Sequence, residues 1–324
     1  GLHMTTLVTG STGLLGNNIV RLLLERGGPV RALVRETADP RPLDGLDVDV
    51  VGGDLQDPVS LQQACQGVSE VVHAAAFVAI GRTEAEAAQR INVDGTKALA
   101  AHAVGARMVH VSSVDALAPA TPPGLADEET PGSKPDCPYV TTKRAAEDVI
   151  RQAVQRGLHA MIVNPAFMLG PWDWKPSSGR MLLEVALRFS PAAPRGGVSI
   201  CDVRDVAAGC LAALQHGQVG RQYILAGHNM TYFEAWKLFA EAAGRRGPWS
   251  QARPPLTTLI GWCGDRVASW TGREGDVNSV SVAMSHLWHH YSSSRAEQEL
   301  DYQCRAARET VADAWQWFVE HGYT

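Results

Sequence analysis

A short apolar run, a glycine-rich loop and a helical apolar stripe follow one another near the start of the chain. Residues 6–16 read TLVTGSTGLLG, and residues 17–24 continue with apolar side chains at helical spacing. In such a loop Gly10 permits a tight turn, Gly13 lets a pyrophosphate approach the backbone, and Gly16 lets the helix pack closely on the strand. The pyrophosphate then lies against the N-terminus of the helix. We therefore predict a βαβ unit that binds a dinucleotide, the alternative being a glycine-rich turn without a ligand.

Apolar runs of strand length alternate with helical patterns through the first half of the chain. The predicted strands are residues 6–8, 30–34, 48–51, 71–73, 108–111 and 161–163, and the predicted helices are 14–26, 58–66, 84–104 and 139–156. Such alternation favours a parallel sheet with helices on both faces. The expected fold class is α/β, a Rossmann-type doubly wound parallel sheet. The proline-rich stretch 118–137 is expected to be a loop that leads into the last of these helices.

The positions of the tryptophans distinguish two parts of the chain. All nine tryptophans follow residue 165, at positions 172, 174, 236, 249, 262, 270, 288, 315 and 317. We expect a dinucleotide-binding domain at 4–165 with a return segment at 198–227, and a smaller, mostly helical substrate-binding lobe made of 166–197 and 228–324. Tryptophan also builds ordinary cores, so only about two or three of the nine are expected to contact a ligand. An amphipathic helix predicted at 256–272 would pack within this lobe, the alternative being membrane contact.

Composition narrows the range of partners. With 324 residues, 45% of them hydrophobic, the chain can bury a sizeable core. Its net charge of -5 argues against a nucleic-acid partner, which requires a basic stripe. There is no apolar run of the roughly eighteen residues that a membrane span needs, and no signal peptide pattern. We expect a cytoplasmic protein without membrane insertion that binds a small-molecule substrate.

Metal binding is not expected. The six cysteines include no CxxC pair, which fits reduced thiols better than a disulfide framework or a zinc site. In the run His-Leu-Trp-His-His at 286–290, His286 and His290 are four residues apart, but Leu287 stands where a HExxH zinc motif has glutamate. This run is expected to form a helical or strand-edge surface.

Tyr139 and Lys143 lie four residues apart on a predicted helix, so both project from one face. An ammonium beside a phenol lowers the phenol's pKa from about 10 toward working pH. Alone, such a pair is more often a solvated helix face. Ser112 and Ser113 follow the predicted strand 108–111, and the carboxyl ends of parallel strands open into the crevice where doubly wound sheets bind ligands.

The sequence resembles the extended short-chain dehydrogenase/reductase family over nearly its whole length. The family's TGxxGxxG motif matches residues 9–16 and its YxxxK motif matches Tyr139 and Lys143, with further matches at 53–55 (GDL), 72–76 (VHAAA), 92–96 (NVDGT) and 202–207 (DVRDVA). The resemblance makes Ser113, rather than Ser112, the catalytic hydroxyl. So many ordered matches are specific for the family.

The resemblance implies roles for four side chains. Tyr139 would donate a proton to the substrate oxygen, and Ser113 would hydrogen-bond the same oxygen. Lys143 would bind the nicotinamide ribose and lower the pKa of the phenol. Asn92 matches a family position that supports the site, although a helix-capping or helix-breaking amide is an equal alternative.

The segment 163–171 indicates a branch of the family. Nucleotide-sugar enzymes often carry here an asparagine that contacts the diphosphate, where this chain has Phe167. Asn164 and Pro165, followed by apolar residues, resemble instead the dihydroflavonol reductase branch, which also includes cinnamoyl-CoA reductases and 3β-hydroxysteroid dehydrogenase relatives. The tail motifs at 292–296 and 299–302 match the same branch. An apolar or aromatic substrate follows from this resemblance.

The family pattern also implies which positions contact the dinucleotide. These are Gly10, Ser11, Thr12, Gly13, Leu14, Leu15, Gly16, Arg35, Asp54, Leu55, Ala74, Ala75, Ala76, Val111, Tyr139, Lys143, Asn164, Pro165, Ala166 and Phe167. In NAD-preferring relatives an acid ends the second strand, whereas an arginine there accommodates the 2′-phosphate of NADP. Val34 occupies the acid's place and Arg35 follows, so we expect NADP(H); NAD(H) remains possible because Glu36 is a nearby acid. Asp54 would face the adenine, or alternatively cap a turn or helix before Pro58.

The predicted function is an NADP(H)-dependent oxidoreductase that reduces the carbonyl, or oxidises the alcohol, of a small to medium apolar or aromatic substrate. The expected pocket lining is Phe77, Val78, Val114, Asp115, Trp172 and Trp174. One alternative is a sugar or nucleotide-sugar epimerase or dehydratase with tightly bound NAD, and another is a non-catalytic dinucleotide sensor. We expect a monomer or a homodimer, the latter pairing through helices near 84–104 and 139–156.

Overall fold

The computed structural model describes residues 4–78, 84–252 and 279–324, the last range without the side chains of 279 and 280. The strands are β1 (Thr6–Thr9), β2 (Val30–Val34), β3 (Asp49–Gly52), β4 (Glu70–His73), β5 (Arg107–Val111), β6 (His159–Pro165), β7 (Phe167–Leu169), β8 (Ala192–Ala193), β9 (Gly197–Asp202), β10 (Gln222–Leu225), β11 (His228–Thr231) and β12 (Ser250–Gln251). The predicted helix at 256–272 lies outside the described residues.

The helices are α1 (Leu14–Glu25), α2 (Pro58–Cys65), α3 (Ala85–Ala88), α4 (Gly95–His102), α5 (Pro138–Gln155), α6 (Ser178–Leu187), α7 (Val203–His216), α8 (Tyr232–Ala242), α9 (Ser279–Ser285), α10 (Ser294–Leu300) and α11 (Ala307–Glu320). Short 3₁₀ turns occupy Arg41–Leu43 and Val114–Ala116. The single helix predicted at 84–104 is instead α3 and α4 joined by a π-helical turn, Gln89–Asp94.

Seven parallel strands form the main sheet, in the order β10-β6-β5-β4-β1-β2-β3. The chain starts at β1 in the interior of the sheet, runs to one edge and then returns to build the other side. The order therefore reverses beside β1, and ligands bind at such a switch point, outside the carboxyl ends of the strands. The predicted Rossmann-type α/β fold is confirmed.

Helices cover both faces of this sheet because consecutive strand residues point to opposite sides. Val8 of β1 joins a core with α1 and α7, in which Ile19 and Leu211 are fully buried. Leu7, its neighbour, joins a second core with α2, α4 and α5, which contains Ile150. The central strands consequently carry apolar residues at consecutive positions, such as Val71 and Val72 of β4, rather than alternating, as is typical of a parallel sheet buried on both faces.

A second, three-stranded sheet has the order β11-β9-β7. Strand β9 pairs antiparallel with β11 and parallel with β7. Helices α6, α8 and α11 enclose a third core with it, whose largest fully buried members are Phe239 and Phe318. Within the described ranges, no helix has the length and apolarity needed to cross a membrane.

Candidate active site

A cavity of about 550 Å³ opens at the carboxyl ends of the main-sheet strands. Its walls come from the glycine loop, the end of β5, the start of α5, the segment after β6 and, on the far side, α6, α8 and α9. The lining residues include Gly10, Gly13, Leu14, Leu15, Gly16, Ala74, Ala76, Val78, Val111, Ser112, Ser113, Val114, Asp115, Cys137, Tyr139, Lys143, Pro165, Ala166, Phe167, Met168, Tyr232, Trp236, Met284 and His289. The predicted glycine loop and the predicted catalytic residues therefore share one cavity.

Two glycines of the loop are required by close backbone approach. Gly10 has φ +69°, and a Cβ on it would lie 2.6 Å from the amide nitrogen of Ala75. A Cβ on Gly16 would lie 2.0 Å from the carbonyl oxygen of Gly10. No side chain fits at either position, so the loop holds α1 tightly against β1 and β4.

The loop also fits a dinucleotide. Gly13 is the N-cap of α1 and provides no side-chain acceptor, which leaves first-turn amides of the helix for an anionic ligand. The hydroxyls of Ser11 and Ser112 are buried and have no hydrogen-bond partner among the described residues, whereas buried polar groups are nearly always paired. A ligand rich in hydrogen-bonding oxygens, such as a pyrophosphate with its ribose, matches this set.

Ser113 is placed by the end of β5. It caps the 3₁₀ turn Val114–Ala116, and its hydroxyl accepts from the Asp115 amide at 3.1 Å. The Asn164 amide on the neighbouring strand β6 donates to the Ser113 carbonyl oxygen at 2.9 Å and to Glu147 Oε1 at 2.8 Å. The Asn164 side chain is thus used in these hydrogen bonds, which position Ser113. The expected contact of Asn164 with the dinucleotide stays a prediction, and Asn164 is not among the residues that line the cavity.

Tyr139 and Lys143 lie one turn apart at the start of α5, which begins with Pro138 at a position where its missing N–H costs nothing. Lys143 Nζ is 5.9 Å from the centre of the Tyr139 ring and donates to the Val111 carbonyl oxygen at 3.1 Å. Both side chains therefore face the end of β5, beside Ser113.

The electrostatics of this pair differ from the expectation that Lys143 lowers the pKa of Tyr139. Burial, followed by the charge of Asp115, raises the pKa of Tyr139 well above its ordinary value, while a hydrogen bond with Ser113 lowers it. Burial lowers the pKa of Lys143 to about 8, against the opposing effect of Glu147 and then Asp115. Tyr139 is thus a phenol near neutral pH, which is the form that donates a proton.

Asn92 lies in the π-helical turn between α3 and α4, and such turns are frequent at functional sites. Its side-chain oxygen accepts from the Phe77 amide at 2.7 Å, and its nitrogen donates to the Phe77 carbonyl at 2.8 Å and to Thr142 Oγ1 at 3.0 Å. Asn92 therefore joins the segment after β4 to the helix that carries Tyr139 and Lys143.

A buried chain of hydrogen bonds links Asn92 to the glycine loop. Thr96 Oγ1 donates to the Asn92 carbonyl at 2.7 Å and lies 2.8 Å from His73 Nε2. His73 Nδ1 lies 2.7 Å from Thr9 Oγ1, at the start of the loop. Burial and then the charge of Lys143 lower the pKa of His73 to about 3, so the ring is neutral and completes the chain without a buried charge.

The structure separates the expected pocket residues into two groups. Val78, Val114 and Asp115 line the cavity, whereas Phe77 binds Asn92 through its backbone and does not. Trp172 and Trp174 lie elsewhere, and their expected place in the pocket is corrected. Trp172 lines a separate groove beside α1, where the Arg21 guanidinium is 3.4 Å from its ring centre, and Trp174 packs against Trp317 with ring centres 5.2 Å apart.

The other residues expected to contact the dinucleotide fall partly in the cavity wall and partly elsewhere. Ala74, Ala76, Val111, Pro165, Ala166 and Phe167 line the cavity. Arg35 and Glu36 are both exposed just after β2, so either could meet a ribose there. Asp54 Oδ1 accepts from the Gln56 amide at 2.9 Å, as in its alternative role in a turn. Leu55 is buried in the second core.

Several cavity residues gave no sequence signal. Tyr232 and Trp236 on α8 and Met284 on α9 are distant from the motifs in sequence and reach the cavity only through the fold. Cys137 lies two residues before Tyr139 but belongs to none of the motifs. His289 belongs to the run expected to form a surface, but it is buried in the cavity wall. Among the described residues, no group of three or more potential metal ligands occurs.

The fold and the cavity define a class: a doubly wound α/β enzyme with a dinucleotide loop beside a Ser-Tyr-Lys set. The chain belongs to the NAD dependent epimerase/dehydratase family, whose model matches residues 6–226. It is thus an NAD(P)-dependent oxidoreductase of the extended short-chain dehydrogenase/reductase group, and the resemblance inferred from its motifs is confirmed.

Similar proteins agree with this assignment over the full length. A putative dihydroflavonol 4-reductase of Synechocystis sp. is 37% identical over 326 residues, covering 98% of this chain and 95% of the relative. Sterol demethylase protein B of Methylococcus capsulatus is 38% identical over 328 residues, covering 98% and 99%. The crystal structure of gox2253 superimposes with a TM-score of 0.86 at 35% identity, covering 98% of each chain.

Proposed function

We propose that this protein is an NADP(H)-dependent reductase of ketones or aldehydes, acting on a small to medium apolar or aromatic substrate with Tyr139 as the proton donor. The observation that carries the proposal is the joint placement of Ser113, Tyr139 and Lys143 beside the glycine loop in one mainly apolar cavity. The similarity to a putative dihydroflavonol 4-reductase supports a reductase rather than an epimerase.

The chain's own residues account for binding and proton transfer. The loop at Gly10, Gly13 and Gly16 and the N-terminus of α1 would hold the dinucleotide, which supplies the hydride when it is bound. Ser113 would hydrogen-bond the substrate carbonyl oxygen, and Tyr139 would donate its phenolic proton to that oxygen as negative charge develops there. Lys143 would hold the ribose hydroxyls beside the phenol.

Apolar side chains on the substrate side support the substrate class. Phe167, Met181, Trp236 and Met284 line this part of the cavity. Phe167 stands where nucleotide-sugar enzymes of the family often have an asparagine. A diphosphate at this place would meet an aromatic ring instead of an amide donor, which favours an apolar substrate.

The proposal is tested with purified protein, NADPH or NADH and a panel of aromatic and aliphatic ketones, following nicotinamide absorbance. We expect NADPH oxidation that depends on the ketone, and a higher kcat/KM with NADPH than with NADH. Denaturing the protein and assaying released nucleotide tests the epimerase alternative: stoichiometric bound NAD together with no ketone-dependent oxidation would contradict the proposal. Tight nucleotide binding with no turnover of any carbonyl would favour the sensor alternative instead.

A further inference from the structure

A carboxylate stands inside the cavity apart from the Ser113, Tyr139 and Lys143 set. Asp115 lines the cavity two residues after Ser113, and the 3₁₀ turn holds its amide against the Ser113 hydroxyl. The two Cα atoms are at most about 7.6 Å apart, because consecutive Cα atoms are about 3.8 Å apart. A substrate whose carbonyl oxygen binds Ser113 therefore lies in the cavity that Asp115 also lines.

The Asp115 carboxylate is held through one of its two oxygens. Lys134 Nζ donates to Asp115 Oδ1 at 2.6 Å and to the Val114 carbonyl at 3.1 Å, and the Lys134 side chain is fully buried. Oδ2 has no hydrogen-bond partner among the residues that the structure describes. The Asp115 side chain is 29% exposed, and the residue lines the cavity, so an open acceptor faces a mainly apolar space.

His289 lies near Asp115 but does not donate a hydrogen bond to its carboxylate. Its Nδ1 lies 3.8 Å from Asp115 Oδ1, and its Nε2 lies 2.8 Å from the Met284 carbonyl, to which it must donate. Burial, followed by the charge of Lys134, lowers the pKa of His289 to about 4, so the ring is neutral near pH 7 and its Nδ1 carries no proton. Lys134 is therefore the side chain that fixes the carboxylate.

The charges favour a neutral hydrogen-bond donor as the ligand of Oδ2. Asp115 and Lys134 cancel each other, so an ammonium group would add an unbalanced charge to an apolar cavity, which is costly. A hydroxyl group adds a donor without a charge. We propose that Asp115 is a specificity-determining residue that accepts a hydrogen bond from a substrate hydroxyl one or two carbons from the reacting carbonyl. This inference rests on the proposed reductase function.

The test compares ketones that differ only by this hydroxyl. Wild-type kcat/KM with NADPH is measured for 2-hydroxyacetophenone against acetophenone, and for 3-hydroxypropiophenone against propiophenone. Because hydrogen bonds to charged groups are strong, we expect about a tenfold or greater preference for at least one hydroxylated ketone. 2-Aminoacetophenone, measured as its ammonium form, is expected to be a poorer substrate than 2-hydroxyacetophenone.

Variants then assign the preference to Asp115. Asp115→Ala is expected to lower kcat/KM for the hydroxylated ketone to within about threefold of that for the plain ketone. The readout is this ratio, since the charge of Asp115 also acts on Tyr139 and its loss can change both values together. Since this change leaves Lys134 buried without its partner, the double variant Asp115→Ala with Lys134→Met removes both charges together. Asp136→Ala is the matched control, because Asp136 is an exposed acid that pairs with Arg144 outside the cavity.

The outcomes separate the two proposals. If no ketone is reduced, the proposed function fails, and this inference fails with it. If plain and hydroxylated ketones are reduced equally by the wild type, or the preference survives in both Asp115 variants, the inference is overturned while the reductase function stands. A preference for the ammonium substrate would also overturn it.

Discussion

Individual residues in this cavity carry roles that depend on their surroundings more than on their spacing. The sequence places Tyr139 and Lys143 on one helix face, but after burial it is the charge of Asp115 that raises the pKa of the phenol most, which disfavours a phenolate. A tyrosine that stays protonated is suited to donating a proton to a reduced carbonyl.

The cofactor preference is a single-residue prediction. Arg35 and Glu36 are both exposed after β2, and only an arginine offers charge-assisted hydrogen bonds to a 2′-phosphate. We expect Arg35→Ala to weaken NADPH binding about tenfold or more and to change NADH binding little, as measured by fluorescence titration. Glu36→Ala is the control and should not weaken NADPH binding. Unchanged NADPH affinity in Arg35→Ala would contradict the proposal that Arg35 gives the protein its preference for NADPH.

The pH dependence of the proposed reaction follows from Lys143. Its pKa is lowered to about 8 by burial, so the ammonium predominates below pH 8 and is lost as the pH rises through that value. Because only the charged form has three N–H donors, enough for two ribose hydroxyls and the Val111 carbonyl, kcat/KM for NADPH should fall above about pH 8. The pH profile of kcat/KM measures this directly, and a flat profile to pH 10 would contradict the role of Lys143.

Glu147 on α5 provides a second test of this pH dependence. Its charge raises the pKa of Lys143, and its side chain is nearly fully buried beside Arg151 at 2.8 Å. Glu147→Gln should therefore move the loss of activity to lower pH, since the ammonium loses a favourable neighbour. Asp148→Asn, which removes a mainly exposed acid that pairs with the same Arg151, should leave the profile in place.

At the scale of elements, the glycine loop and the start of α1 act as one unit. A Cβ on Gly16 would overlap the Gly10 carbonyl, whereas a Cβ on Gly52 at the end of β3 meets nothing within 4 Å. We expect Gly16→Ala to lower the free energy of unfolding by about 1–3 kcal/mol and to weaken dinucleotide binding. Gly52→Ala should stay within about 0.5 kcal/mol of the wild type. Urea unfolding without nucleotide measures both, and equal stability of the two variants would contradict the packing argument.

The sequence predicted these elements well where one periodicity holds over a whole segment. Six of the seven strands of the main sheet, together with α1, α2 and α5, lie close to their predicted places, because burial on both sheet faces leaves apolar runs. The seventh strand, β10, was not predicted as a strand. The π-helical turn at Gln89–Asp94 was not predicted, since the segment 84–104 was interpreted with a single helical period and one turn is too short to establish a different period. Yet that turn carries Asn92, whose hydrogen bonds join Phe77 to α5.

At the scale of the whole molecule, the cavity combines a part that motifs reveal with a part that they do not. The glycine loop and the Ser113, Tyr139 and Lys143 set were predicted because each belongs to a short pattern with a fixed spacing. Asp115, Lys134 and His289 meet only because the loop 118–137 and the segment around Trp288 pair through Ala120. The division into a dinucleotide-binding domain and a substrate-binding lobe remains a proposal.

The aromatic residues show the same limit. Tryptophan enrichment after residue 165 led to the expectation that Trp172 and Trp174 line the pocket, but both pack in a cluster with Trp317. Trp236 lines the cavity instead. Aromatic side chains build cores as readily as pockets, so composition alone does not distinguish the two uses.

The most direct test of the central claim is the NADPH-dependent kcat of Tyr139→Phe with the best ketone substrate of the wild type. Removal of one hydroxyl keeps the ring and its packing, so NADPH should still bind with near wild-type affinity. We predict that kcat falls by about 10²–10⁴-fold, the contribution expected of a general acid. A Tyr139→Phe variant that binds NADPH normally and keeps near wild-type kcat would contradict the account.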